Sequence, residues 1–518
     1  QAASRAAALG CFDPVCLVNH RMWTAFGQAF GMVFEPYTIM VMVGASLFGL
    51  FVGAVPGLTA TMATALLVPV TFFMPPIPAI AAMVTATAMA IFSGDIPGCL
   101  LRIPGTPASA AYTDEAYAMT KKGQAELALG AGLVFSAVGG LFGTVVLIVA
   151  APALANFALN FSSFEYFWLV LLGLTCAVFI TTDQPLKGIV TLLLGLLVAC
   201  VGLGNPAGHP RFTFGTAEMT GGIGMIAMMI GMFAISEIIR FVVDTSPPAE
   251  LVVEKVGNVM AGQWALAKKY PLQILRGSTL GTAVGALPGA GADIAAWMSY
   301  AMSKKFSKEP EKFGTGHIEG IVESGSANNS ALAGAWIPAL VFGIPGDSIT
   351  AIVIGVLYMK NMNPGPTLFT TNPQNIYAVF LLFIIANIIM VPLGILCIKV
   401  AKRILRVPRE VLMPLILLFC IVGTFAINNS MFEVGVMLVA GIVAYLLEAN
   451  KFPIAPAILG VVLGGMLEEN FITSMIKSNG DLSAFFARPI AATLAVVTLL
   501  VWFTPLILRA LRAKATPP

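Results

Sequence analysis

Charge is what this sequence has least of. Only 10% of its 518 residues are Asp, Glu, Lys or Arg, against roughly 25% in soluble chains. So few charges cannot clothe a soluble surface of this size, which excludes the three or four soluble domains that length alone would suggest. Histidine is scarcer still. His20, His209 and His317 stand far apart in no ligand spacing, which argues against a His-rich metal site. The seven cysteines contain no C-x-x-C pair, and Cys99, Cys176, Cys200, Cys397 and Cys420 lie in apolar stretches. They read as small core residues, not as a disulfide framework or a metal cage. The net charge of +3 is spread over loops without a basic stripe, so nucleic acid is not an expected partner.

What is present is apolar. Hydrophobic residues make up 58% of the chain, and mean hydropathy is +0.90. The runs Leu127–Ala151, Ile376–Ile398 and Pro489–Leu508 carry no charge at all. Runs longer than a buried core helix needs predict an all-α polytopic membrane protein. The 51 glycines and 33 prolines predict that several of its helices are broken. Residues 1–21 read as a processed, truncated or upstream-extended start, with Met22 an alternative beginning. No apolar segment there is followed by a small-residue cleavage pattern, so no cleavable signal peptide is expected. Trp23, Phe26, Phe30 and Phe34 recur at near-helical spacing, as on an interfacial helix.

Two motifs occur twice in the same order. Val52-Gly53-Ala54-Val55-Pro56-Gly57 is matched by Val284-Gly285-Ala286-Leu287-Pro288-Gly289, and Ile103-Pro104-Gly105-Thr106 by Ile344-Pro345-Gly346-Asp347. Each second motif precedes a long uncharged segment, and the second half carries a longer polar insert, 304–316, between its motifs. The chain therefore reads as a duplicated unit. After its long helix the first half has a connector without Lys or Arg, Ala151–Glu165. The matching connector in the second half carries Lys399, Lys402, Arg403, Arg406 and Arg409. The positive-inside rule places the first outside and the second in the cytoplasm, so the repeats are expected to be inverted. Further spans near Tyr166–Thr182, Leu186–Leu203, Gly221–Val243, Val411–Ile427, Met431–Leu447, Ile454–Leu467 and Pro489–Leu508 lead to basic segments on the same inner side. The expected organisation is an N-terminal extension and interfacial helix (1–36), transmembrane repeat 1 (37–243), and a cytoplasmic linker (244–276). Transmembrane repeat 2 (277–468) follows, then a periplasmic loop, last transmembrane helix and basic tail (469–518). Inverted-topology repeats with Pro-Gly-interrupted helices and re-entrant segments are the signature of secondary transporters, with the site near the midplane.

Pro-Gly inside an apolar segment breaks the helix, and the freed backbone groups must face protein or a polar cavity. Cap-type residues follow each break: Thr59, Thr61 and Thr64 after Gly57, Thr106 and Ser109 after Gly105, Ser348 and Thr350 after Gly346. New helix N-termini there would offer N–H groups to a carboxylate, whereas a lone kinked packing helix would need the same Pro-Gly. The substrate-binding candidates are Gly57, Thr59, Thr61, Gly105, Thr106, Ser109, Gly289, Gly291, Gly346, Ser348 and Thr350. Asn328, Asn329 and Ser330 join them as a cavity wall rather than an exposed turn. Intramembrane acids are candidates for a coupling cation, Na+ at Asp293 or Asp347 above all, and helix capping is their other reading. Asp95 is a weaker candidate, because Arg102, two turns on, is placed to form an ion pair with it or to meet an anionic substrate.

Four segments carry a family resemblance: VGAVPGLTATMATALLVP (Val52–Pro69), RIPGTPASAAYTDEAYAMTKKGQAELALG (Arg102–Gly130), GALPGAGADIAAWMSY (Gly285–Tyr300) and SANNSALAGAWIPALVFGIPGDSITA (Ser326–Ala351). From about Tyr37 onward the chain resembles the large membrane subunit of the tripartite tricarboxylate transporters, the TctA family. The resemblance implies a secondary importer of carboxylates in the bacterial cytoplasmic (inner) membrane, driven by Na+ or H+ and needing no other cofactor. It also implies a small membrane subunit (TctB-like) and a periplasmic substrate-binding protein (TctC-like) as partners. One departure is Asp114-Glu115, where the family often has Asp-Gly. An ion or anion channel is the alternative, although acids and hydroxyls confined to the motifs suit an occluded site better than a continuous pore. An intramembrane aspartyl protease fits poorly, because Gly343-Ile344-Pro345-Gly346-Asp347 has one residue too many for G-x-G-D. Pro338-Ala339-Leu340 also precedes that aspartate instead of following it. No enzyme activity is expected.

Overall fold

The computed structural model describes residues 14–180, 184–204, 208–243, 257–405 and 409–515. Arg406, Lys255, Thr182, the start of the N-terminal extension and residues 244–256 of the linker lie outside the described residues. Among those described, regular structure is helical, and one isolated bridge joins Gly202 to Arg211. Eight helices there are long and apolar enough to cross a membrane, so this is a multi-pass membrane protein. A helix over Pro14–Val33 precedes them. Trp23, Phe26 and Phe30 on it, and Phe34 just after it, are exposed.

In the first half α1 (Pro36–Ala54) starts on Pro36, whose missing N–H costs nothing at a first turn. It ends at Pro56-Gly57, with Gly57 at φ 87°, a left-handed turn that glycine enters without strain. Thr59 then caps α2 (Ala60–Phe72), its Oγ1 accepting from Met62 N at 3.1 Å. Next come α3 (Pro76–Ser93), a continuation over Asp95–Leu101, α4 (Thr113–Lys121) and the long α5 (Ala125–Ala158). The half closes with α6 (Ser163–Ile180), α7 (Pro185–Ala199) and α8 (Met225–Val243), the last interrupted by a π-helical turn over Gly231–Ile235.

The second half repeats the plan: α9 (Pro271–Gly285), a break with Gly289 at φ 85°, α10 (Gly291–Phe306), α11 (Ile318–Phe342), α12 (Ser348–Met359) and the long α13 (Pro373–Ile404). It ends with α14 (Arg409–Asn428), α15 (Met431–Ala449), α16 (Ala455–Lys477) and α17 (Pro489–Ala515).

Close approaches of small residues fix the helix directions. Gly49 and Gly53 of α1 lie against the Ala86 and Ala90 carbonyls of α3, so these two helices run parallel. Gly281 and Gly285 of α9 lie likewise against Ala327 and Ala331 of α11. The first Pro-Gly break of each half is therefore the tip of a hairpin, α1–α2 in one half and α9–α10 in the other. Gly140 of α5 meets Asn387 of α13, while Leu133 meets Gly394, so the two matched long helices are antiparallel. At the centre α5 packs along α11, and a Cβ on Gly139 would collide with the Ser326 carbonyl. Small residues permit this backbone approach, which supplies packing where lipid offers no hydrophobic drive. A smaller cluster of Trp168, Phe485, Ala491 and Ala495 joins α6 to α17, with Trp168 Nε1 donating to Phe485 O at 3.0 Å.

Three expectations need correction. Helix α5 runs through Pro152 to Ala158, consuming half of the expected connector, because Ala151, Ala155 and Ala158 are buried along its packed face. Ser324–Ser330 forms no exposed turn but a fully buried stretch inside α11, and none of its residues lines the cavity described below. Arg102 does not meet Asp95. It closes its helix in the left-handed conformation at φ 59°, which turns it outward, and its Nε donates to Asp114 Oδ1 at 2.8 Å.

A cavity where the broken helices meet

Both second motifs build the same local geometry. After Ile103-Pro104-Gly105, Thr106 N donates to Ser109 Oγ at 3.1 Å and Ser109 N to Thr106 Oγ1 at 3.2 Å. After Ile344-Pro345-Gly346, Asp347 N donates to Thr350 Oγ1 at 2.9 Å and Thr350 N to Asp347 Oδ1 at 2.7 Å. Each is a reciprocal cap that satisfies two otherwise orphaned N–H groups. A Cβ on Gly105 would lie 2.6 Å from the Gly53 carbonyl, and one on Gly346 2.6 Å from the Gly285 carbonyl. In each half the second motif thus seats against the helix leading into the first.

The four segments converge on a cavity of about 490 Å³. The α1–α2 tip contributes Thr59 and Thr61, the first-half second motif Thr106, the α9–α10 tip Gly289, Gly291 and Asp293, and the start of α12 Asp347 and Ser348. The halves touch across it: Ala108 N donates to Asp293 Oδ1 at 3.1 Å, and Trp297 Nε1 to Pro107 O at 3.2 Å. Gly291 is held at φ +56°, and a Cβ there would lie 2.5 Å from Asp347 Cβ, so the hairpin tip rests on the start of α12. Hydroxyls, main-chain groups and two carboxylates face one space, a donor set fit for a carboxylate at N–H ends and a hard cation at oxygens.

Other sequence candidates lie elsewhere. Gly57, Gly105, Ser109, Gly346 and Thr350 shape the turns and caps behind the cavity without lining it. Asn328 is buried, donating from Nδ2 to Tyr112 Oη at 3.4 Å, and Tyr112 in turn donates to Asp95 Oδ1 at 2.7 Å. Asn329 Nδ2 reaches Ala88 O at 3.4 Å, and Ser330 Oγ donates to Ala327 O at 3.0 Å. Asp95, Tyr112 and Asn328 form a network packed between α4, α5 and α11, apart from the cavity.

Sequence reasoning missed Ser236, Glu237, Arg240 and Glu448, which line the same cavity. Arg240 Nη1 donates to Glu237 Oε2 at 2.8 Å, and Nη2 donates to Glu448 Oε2. Glu237 and Arg240 were visible as an i, i+3 charged pair at the end of an apolar run. Glu448, 208 residues away, shares no local pattern with them. The departure at Glu115 also finds its place. Its buried carboxylate accepts from Tyr300 Oη at 2.7 Å, from Gly316 N at 2.7 Å, from His317 N at 2.8 Å, and from Gly314 N. It clamps the polar insert of the second half onto α4.

Broken apolar helices around a polar cavity define a multi-pass membrane protein built for transport. The sequence profile of the tripartite tricarboxylate transporter TctA family matches residues 39–459, and the chain belongs to that family. It is 35% identical over 453 residues, 88% of this chain and 90% of the relative, to the uncharacterized 52.8 kDa protein in the TAR-I ttuC' 3' region of Agrobacterium vitis. The uncharacterized protein in the TAR-II ttuC' 3' region of the same organism is 37% identical over 214 residues, 41% of this chain and 88% of that protein. No solved structure matches the chain.

Proposed function

We propose that this chain is the large transmembrane subunit of a secondary transporter that imports small carboxylates, dicarboxylate or tricarboxylate, by symport with Na+ or H+. It works in the bacterial cytoplasmic membrane with a small membrane subunit and a periplasmic substrate-binding protein. The observation that carries the reading is the convergence of all four repeated segments on one polar cavity. Substrate carboxylates rest at the hydroxyls of Thr59, Thr61, Thr106 and Ser348 and at helix-start N–H groups that the caps leave unused, and the coupling cation at Asp293 or Asp347.

Charge explains why a cation must travel too. Asp293, Asp347, Glu237 and Glu448 line the cavity against Arg240. An anion beside an ionised carboxylate is opposed by about 1 kcal/mol at 4 Å even in bulk water, and by more where water is thin. A cation bound at an aspartate removes that opposition, so substrate and cation enter favourably only together.

The repeats are inverted in this reading, with α1–α2 and α9–α10 re-entrant from opposite sides. The antiparallel course of α5 and α13 supports this. So do contacts between chain segments that the basic-residue asymmetry assigns to one side. Arg211 binds Glu468 through two bonds of 2.6 and 2.7 Å, and Arg488 meets Glu165 at 3.0 Å, both on the outer side. Lys187 Nζ donates to Asn450 O at 2.8 Å, and Gly257 N to Glu126 Oε2 at 2.8 Å, both on the inner side.

Proteoliposomes holding the chain with both partners test the proposal. Succinate, tartrate or citrate should accumulate under an imposed Na+ or proton gradient, stop when it is dissipated, and hardly enter at micromolar concentration without the binding protein. Flux that equilibrates without ever accumulating would indicate a channel, and high-affinity uptake by this chain alone would remove the tripartite assignment.

A further inference from the structure

The cavity holds one cation and four acids, an odd balance for a site that receives anions. Among the described residues lining it, Arg240 is the single basic side chain. It stands in the last turn of α8, with Glu237 one turn before it. Glu448 reaches it from the last turn of α15, in the other half of the molecule. The side chains of Arg240, Glu237 and Glu448 are 46%, 18% and 28% exposed, so solvent and solutes in the cavity reach the triad.

A guanidinium is planar, always charged, and offers five N–H donors in a fork that suits a carboxylate. Here separate nitrogens of that fork are engaged, Nη1 by Glu237 and Nη2 by Glu448. The two acids differ in tether. Glu237 shares a helix turn with Arg240 and moves with it, whereas Glu448 belongs to another helix and meets Arg240 only while α8 and α15 keep this spacing. A substrate carboxylate in the cavity presents the same chemical group as Glu448 and competes for the same donors.

Resting on the carboxylate reading of the cavity, we infer that Arg240 anchors a substrate carboxylate and that Glu448 is the internal competitor this carboxylate displaces. The exchange trades one charged hydrogen bond for another, so it binds substrate without making the site too sticky for release. It also releases the tie between the last turns of α8 and α15 only when substrate is present, while Gly231 and Gly441 keep the two helices packed further along.

The two ends of the bond answer oppositely to mutation, which a purely structural clip does not. Purified full-length chain is titrated calorimetrically with succinate, tartrate and citrate, once in saturating Na+ and once at acidic pH, so that either coupling cation is supplied. Glu448→Gln, which keeps shape and loses the competing charge, should tighten binding of the carboxylate that wild type prefers by roughly three- to tenfold. Arg240→Gln should weaken it about tenfold or more, the range expected for a lost hydrogen bond to a charged group. Arg240→Lys should recover only part, since an ammonium lacks the fork. Thermal unfolding of each variant confirms that the fold persists. If wild type binds and both Glu448→Gln and Arg240→Gln weaken binding, or neither changes it, the triad is a clip between helices and the anchor is wrong. If wild type binds none of the three, the carboxylate reading itself fails and the anchor with it.

Discussion

Asp347 and Asp293 face one cavity with different local duties. Asp347 closes a capping box on α12, and Asp293 accepts the Ala108 N–H from the other half. Capping and ion binding use the same oxygen atoms, so position alone does not separate them, but substitution does. Asn is about as good an N-cap as Asp, whereas Ala costs about 1 kcal/mol there. Asp347→Asn therefore keeps the cap and removes only the charge, and Asp293→Asn likewise keeps an oxygen for Ala108. Uptake by at least one of these variants should lose or shift its dependence on the driving cation while the protein still folds and assembles. Measured initial rates against Na+ and pH decide it, and wild-type ion dependence in both would make the aspartates caps alone. The residue scale is also where sequence reasoning ran out. The pairing of Arg102 with Asp114 in place of Asp95 depends on one left-handed residue at a helix end, which no i, i+7 count contains. Arg240 and Glu448 meet only through tertiary packing. Asn328 and Asn329 looked like cavity amides because polar residues in apolar sequence suggest a cavity, yet contacts between packed helices use the same side chains.

At the scale of elements the sequence was more readable. Pro-Gly breaks, the caps after them and the long uncharged helices follow from local rules of backbone geometry, and α1–α2, α9–α10, α5 and α13 stand close to where those rules put them. Exact ends were less legible, since packing of small residues carried α5 beyond Pro152. In the proposed inverted arrangement the α1–α2 hairpin enters from outside and the α9–α10 hairpin from inside. Single cysteines at Ser162, after α5, and at Leu405, after α13, test the underlying orientation. An impermeant maleimide applied to intact spheroplasts should label the first and spare the second. Equal labelling of both would end the inverted-repeat account.

On the scale of the whole molecule, two halves that share a motif order meet at one cavity, and the residues that close it come from both. Helix hairpins, reciprocal caps and the α8–α15 ion-pair triad then form one unit, and the function proposed for it is passage of an anion with a cation. The measurement that reaches this claim most directly places a cysteine at Thr61, on the cavity wall, in a chain stripped of its seven natural cysteines. The account predicts that an anionic methanethiosulfonate blocks carboxylate uptake by Thr61→Cys, and that the transported carboxylate, present during treatment, slows both modification and block. Modification of Thr61→Cys with uptake undiminished, or at a rate that saturating substrate leaves unchanged, would contradict it.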